Sequence, residues 1–177
     1  MSAAVLVIDM QHDVLATCTT ATDVLTVVNA LAARARDAGC PVVLVRQHDD
    51  ELIAGEHGWQ LDDRLVQHPS DQIVDKHYRD AFAATELAAL LRMLEVQRVV
   101  VCGAHSDYCV QTSALSALAQ GFDLTLVADG HAAEDTIIDG ASIPGPVVSG
   151  FVNARMATLR YPGRQVDVLA AADVALS

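Results

Sequence analysis

Four short runs of almost unbroken apolar residues constrain this chain more than any other feature. They are "AAVLVID" at 3–9, "PVVLVRQ" at 41–47, "RVVVC" at 98–102 and "DLTLVAD" at 123–129. A strand with one wet face alternates apolar and polar residues. These runs do not alternate, so they fit strands buried on both faces, as in a parallel sheet. Between them lie segments with helical apolar spacing: 23–38, closed by Gly39, then 85–96, and 107–120, closed by Gly121. "QIVDK" at 72–76 reads as a short strand, 147–160 as a helix, "QVDVLAA" at 165–171 as a last strand, and "DGASIPGP" at 139–146 as a loop. Strands alternating with helices predict an α/β fold: a doubly wound, Rossmann-like three-layer α/β/α sandwich around a mostly parallel sheet of about six strands. A length of 177 residues predicts one domain over 1–177.

Charge narrows the partners. The formal net charge is −12, and no Lys/Arg cluster stands out. An electrostatic footprint for nucleic acid is therefore absent, and an anionic membrane surface is disfavoured. No apolar run reaches the length of a membrane span. "MSAAVLVIDMQHD" lacks the basic start of a signal peptide. The expected setting is the cytoplasm and the expected partner a small molecule. Cys18, Cys40, Cys102 and Cys109 show neither a CxxC pair nor zinc-ligand spacing, so they are expected as free thiols.

In open parallel sheets ligands bind beyond the carboxyl ends of the strands, near the point where strand order reverses. Asp9, Lys76 and Cys109 lie at or just past three such ends. Each has a plainer reading. Asp9 can cap a turn, and Lys76 can be a surface lysine. Cys109 can be a small core hydrophobe. Ser106 or Asp107 is most simply a helix N-cap. Against the core reading, Cys109 opens a predicted helix, where first-turn N–H groups and the dipole lower a thiol pKa. The long polar excursion 48–72 is more often functional than idle.

Together these residues resemble the isochorismatase-like cysteine hydrolase superfamily. "AVLVIDMQHD" resembles its first motif, an acid closing strand one followed by Met-Gln-x-Asp. "VDKHYRDAFAATEL" resembles its lysine motif, and "VVVCGAHSDYCVQTSALSALAQGFDLTLVADGHA" its nucleophile motif. "GWQLDDRL" at 58–65 is similar to a segment of some members. The match runs over roughly 3–135; Val14 stands where the family often has Phe, and the tail after about 136 matches no motif.

The resemblance implies an Asp9–Lys76–Cys109 triad that hydrolyses a small amide or carbamoyl C–N bond through a thioester acyl-enzyme. Asp9 takes the thiol proton, and Lys76 favours the charged forms of both partners. The backbone N–H groups of His105 and Cys109 receive the oxyanion. The resemblance also points to a cis peptide at Ala104–His105. A metal is not expected, because no Asp-x-His pair follows strand two, and no cofactor is implied. Gln11, Trp59, Tyr78, Phe82 and Tyr108 are candidates for the substrate pocket; Trp59 and Phe82 can equally pin the loop and helix to the core. Family members often associate, so a homo-oligomer, first of all a dimer, is expected. Three alternatives stay open: hydrolysis of a vinyl ether, a non-catalytic binding protein on the same fold, and a thiol redox pair of Cys102 with Cys109.

Overall fold

The computed structural model describes residues 2–176. Six parallel strands form the central sheet in the order β3-β2-β1-β4-β5-β8. They are β1 (Ala3–Ile8), β2 (Val42–Gln47), β3 (Gln72–Lys76), β4 (Arg98–Ala104), β5 (Asp123–Ala132) and β8 (Val166–Leu169). Every residue of β1 is buried, as an unbroken apolar run requires. The chain runs outward from β1 to one edge, then returns to β4 and runs to the other. Order therefore reverses between β1 and β4, which pair from Ala3↔Arg98 to Ile8↔Gly103.

Side-chain alternation splits the core into two layers. Val5, Val7, Leu44, Val100 and Cys102 face α2 (Ala21–Asp37) and the short α1 (His12–Ala16). Leu6, Ile8, Val43, Val99 and Val101 face α3 (Leu87–Met93), α4 (Gln111–Ala119) and α5 (Gly145–Ala157). The result is the three-layer, doubly wound sandwich expected. The excursion between β2 and β3 holds no helix or strand. Asn29 and Arg36 of α2 strap it down: Asn29 Nδ2 donates to Arg64 O at 2.8 Å, and Arg36 pairs with Asp71 at 2.8 Å.

Three local expectations are corrected. The segment 139–146 is not simply a loop. It contains the turn and second strand of an antiparallel hairpin, β6 (Thr136–Ile138) with β7 (Ala141–Ile143). Asp139 and Gly140 both take positive φ, 51° and 82°, the conformation a two-residue hairpin turn demands. The nucleophile segment does not open as an α-helix. A π-helical turn, Ser106–Val110, precedes α4, and its N-cap is His105, which makes no side-chain cap bond. Neither Ser106 nor Asp107 is therefore the cap. Finally, β5 extends to Ala132 through an irregularity. Val101↔Leu126 is followed by Gly103↔His131, so two residues of β4 are matched by five of β5.

Candidate functional site

The first strand ends in a bend. Asp9 has φ +49°, in the left-handed region that non-glycine residues seldom occupy. Beside it, Gly103 has φ +122°, and a Cβ there would sit inside the Ile8 carbonyl oxygen. Only glycine lets β4 pass β1 this closely as the chain approaches Cys109. The Ala104–His105 peptide is cis, as expected.

At the carboxyl ends of β1 and β3, and in the π-helical turn, three side chains converge. Lys76 Nζ lies 2.8 Å from Asp9 Oδ2 and 3.4 Å from Cys109 Sγ, and donates to Gln47 Oε1 at 2.5 Å. Lys76 is fully buried, so the surface reading does not hold. Its three N–H directions each have a partner. Asp9 is buried as well, and its second oxygen, Oδ1, has no hydrogen-bond partner. Nothing in the sequence marks Gln47 as a site residue. It closes β2 as an ordinary polar residue, and only the register Gln47↔Lys76 reveals its role.

The Cys109 shift runs opposite to the lowering expected from its helix position and from Lys76. Burial pushes the Cys109 thiol up to about 12; the nearby Asp9 charge adds to this, and Lys76 only partly offsets it. Burial also raises the Asp9 carboxyl, against the pull of Lys76. Burial thus favours the protonated thiol. A buried carboxylate whose pKa is raised is a stronger base than an exposed one.

A cleft of about 450 Å³ opens beside this end of the sheet, reaching Gln47 and His105 but not Asp9, Lys76 or Cys109 themselves. Val14, Gln47, Leu52, His105 and Tyr108 line it, together with the carboxylates of Asp13, Asp49, Glu51 and Glu134; no Lys or Arg does. A hollow of about 300 Å³ beside Cys40 and Val42 lies at the opposite, amino end of β2. The His105 ring is tethered: its Nε2 lies 2.9 Å from Val14 O. Of the other pocket candidates only Tyr108 lines the cleft, with Arg79 stacked 3.9 Å from its ring centroid. Gln11 is buried and clasps backbone, donating to Gln47 O at 2.9 Å and Trp59 O at 2.6 Å. Phe82 packs in the core against Phe122, with ring centroids 6.1 Å apart. Trp59 is half-buried and stacks under Arg46, while Tyr78 is exposed. The Gln11 amide is thus occupied by backbone partners and the Phe82 ring by a core partner, and neither is among the residues that line this cleft.

Cys102 lies on the α2 side of the sheet and Cys109 packs against the other layer. All four cysteines are free. Among the described residues, no group of three or more His, Cys, Asp or Glu side chains could hold a metal ion. No helix among them is long and apolar enough to cross a membrane.

Residues 3–138 match the family model described as the isochorismatase domain. A streptothricin hydrolase from Streptomyces noursei is 36% identical over 133 residues, covering 72% of this chain and 50% of that protein. A second streptothricin hydrolase from the same species is 37% identical, covering 72% of this chain and 45% of its own length. The chain spans about half the length of these curated relatives. Among solved structures, a cysteine hydrolase from Pseudomonas syringae pv. phaseolicola 1448A superposes with a TM-score of 0.87 at 20% identity. That match covers 97% of this chain and 89% of the other. N-carbamoylsarcosine amidase from Thermoplasma acidophilum superposes with a TM-score of 0.78 at 21% identity, covering 98% and 99%. At these identities the likeness is one of fold.

Proposed function

Because the chain belongs to the isochorismatase family of hydrolases, we propose that it cleaves a small amide or carbamoyl C–N bond with Cys109 as nucleophile, Asp9 as proton carrier and Lys76 as the cation between them. One observation carries this reading: a single buried ammonium touches both the Asp9 carboxylate, at 2.8 Å, and the Cys109 sulfur, at 3.4 Å. A thiol in that setting suits attack on a carbonyl. Vinyl ether hydrolysis has no use for one.

In the proposed cycle the thiol proton passes to Asp9 Oδ1, the oxygen with no other partner, as sulfur attacks the substrate carbonyl. Lys76 compensates the charge that moves from carboxylate to sulfur. The oxyanion sits at the N-terminus of the helical segment, against the backbone N–H groups of His105 and Cys109; first-turn N–H groups have no intrahelical acceptor. Asp9 then protonates the leaving amine, the tetrahedral centre collapses to a thioester, and water attacks it to release the acid and restore the thiol.

The cleft indicates the kind of substrate. Four carboxylates and no Lys or Arg line it, so an anionic amide is repelled and a neutral or cationic one is favoured. The test is a panel of small primary amides and carbamoyl amines, cationic, neutral and anionic, read by ammonia release. Turnover of cationic or neutral members is expected, falling about 10³-fold or more in Cys109→Ala. Turnover unaffected in a folded Cys109→Ala protein would reject the nucleophile.

The same reading includes a homo-oligomer, first of all a dimer. Val147 and Phe151, one turn apart on α5, are 57% and 64% exposed and present two large apolar side chains side by side. Light scattering at micromolar concentration checks this, and the mass of a single chain would reject it.

A further inference from the structure

Behind the π-helical turn runs a chain of polar side chains that the proposed reaction does not use. His131 on β5 is 4% exposed. Its Nδ1 lies 2.7 Å from Ser106 Oγ and its Nε2 2.9 Å from Asn153 Oδ1. Asn153 Nδ2 donates to Ala128 O at 2.9 Å, and Ser149 Oγ lies 2.8 Å from Ser106 Oγ. We propose that Ser106, His131 and Asn153 form a positioning network that holds the Cys109 turn against Lys76 and Asp9, which makes α5 part of the nucleophile's support.

The hydrogen bonds have only one consistent direction. Asn153 gives its N–H to Ala128 O, and the reverse orientation would set two carbonyl oxygens face to face. Asn153 Oδ1 is therefore the acceptor and His131 Nε2 carries the proton. His131 Nδ1 then accepts from the Ser106 hydroxyl, and Ser106 accepts from Ser149. Burial lowers the His131 pKa, which keeps the ring in this neutral form.

The backbone is arranged to permit the network. The irregularity in β5 inserts residues opposite Cys102, bringing His131 level with Gly103 at the start of the nucleophile loop. Bulges beside active sites re-aim side chains in this way. Gly130 lies inside the irregularity, where a Cβ would press on Val127 and Cys102. The Ser106 hydroxyl does not cap the helix; both of its bonds go outward, to His131 and Ser149. Ser106 is fully buried and stands three residues before Cys109. Asn153 and Ser149 come from α5, beyond the residues 3–138 that match the family model.

The inference rests on Cys109 being the nucleophile, and its test does not require turnover. The probe is iodoacetamide at pH 9, with alkylation at each cysteine followed by peptide mass spectrometry. The variants are Ser106→Ala, Asn153→Ala and the pair together; Asn153, half-buried, carries the test alone if Ser106→Ala does not fold. Each single variant is expected to slow alkylation of Cys109 about fivefold and leave the remote Cys40 unchanged, and the pair to be no slower than the slower single, as residues acting as one unit behave. On an amide that turns over, kcat should fall in step with the alkylation rate while KM stays within about twofold of the parent. Unchanged Cys109 alkylation in folded variants, equal slowing at Cys40, or losses that multiply in the pair would overturn the network. A panel with no turnover at all counts against the hydrolytic reading only.

Discussion

The Lys76 ammonium sits 2.8 Å from the Asp9 carboxylate with both side chains out of solvent. Neither is tolerable there alone, because a buried charge that loses its partner keeps its desolvation cost. Lys76→Met is therefore expected to destabilise the fold by about 3–5 kcal/mol. Adding Asp9→Asn should restore part of that loss, since the neutral amide needs no counter-charge. Urea unfolding of the two variants measures both steps. A double variant less stable than Lys76→Met would contradict the pairing.

Gly103 is expected to admit no other residue. Its φ of +122° and the Ile8 carbonyl beside it leave a methyl group no room. Gly103→Ala should cost more than about 2 kcal/mol, in the range of substitutions that combine backbone strain with overpacking. Loss of turnover should accompany it, because the clash lies between β1, which ends at Asp9, and β4, which leads to Cys109. A thermal midpoint equal to that of the parent would show that the two strands are less closely opposed than described.

The buried His131 predicts a pH dependence of stability. Its folded pKa lies below the ordinary 6.5. As pH falls through 6.5 the unfolded chain therefore takes up a proton that the folded chain refuses. Stability from this group is fully present above that pH and declines below it. Thermal midpoints recorded from pH 8 to pH 5 should fall on the acid side, and His131→Gln should flatten that part of the curve. A parent curve with the same slope as the variant would assign the acid sensitivity elsewhere.

The inner strands were legible in the sequence because burial on both faces leaves a mark that needs no tertiary information. β3 was delimited to the residue, and β1 and β2 to within one. The β6–β7 hairpin was missed although Asp139-Gly140 is a strong turn signal; three-residue strands are too short to show a period. Asp9, Lys76 and Cys109 could be picked out by their places at strand ends and by resemblance. Gln47, His131 and Asn153 could not, since their significance lies in register and in an irregularity of β5 that no local pattern encodes. The direction of the Cys109 shift was also beyond reach. Helix position and a neighbouring lysine are visible in sequence, but the degree of burial that outweighs them is not.

Lys76 ends β3, the outermost strand, which is hydrogen-bonded on one side only, to β2. Next to it, Arg46 and Asp75 clip the two strands together at 2.8 Å. Strands at a sheet margin are the first to open in sub-global fluctuations, well below the free energy of complete unfolding. One of three converging groups is thus mounted on the part of the scaffold most prone to fray, while the other two are carried from β1 and β4 at its centre. Amide protons of β3 should exchange with deuterium before those of β1 and β4. A molecule in which only the margin has peeled away would keep nearly all its structure and lose its cation, so catalytic competence and foldedness would part company early on the way to denaturation.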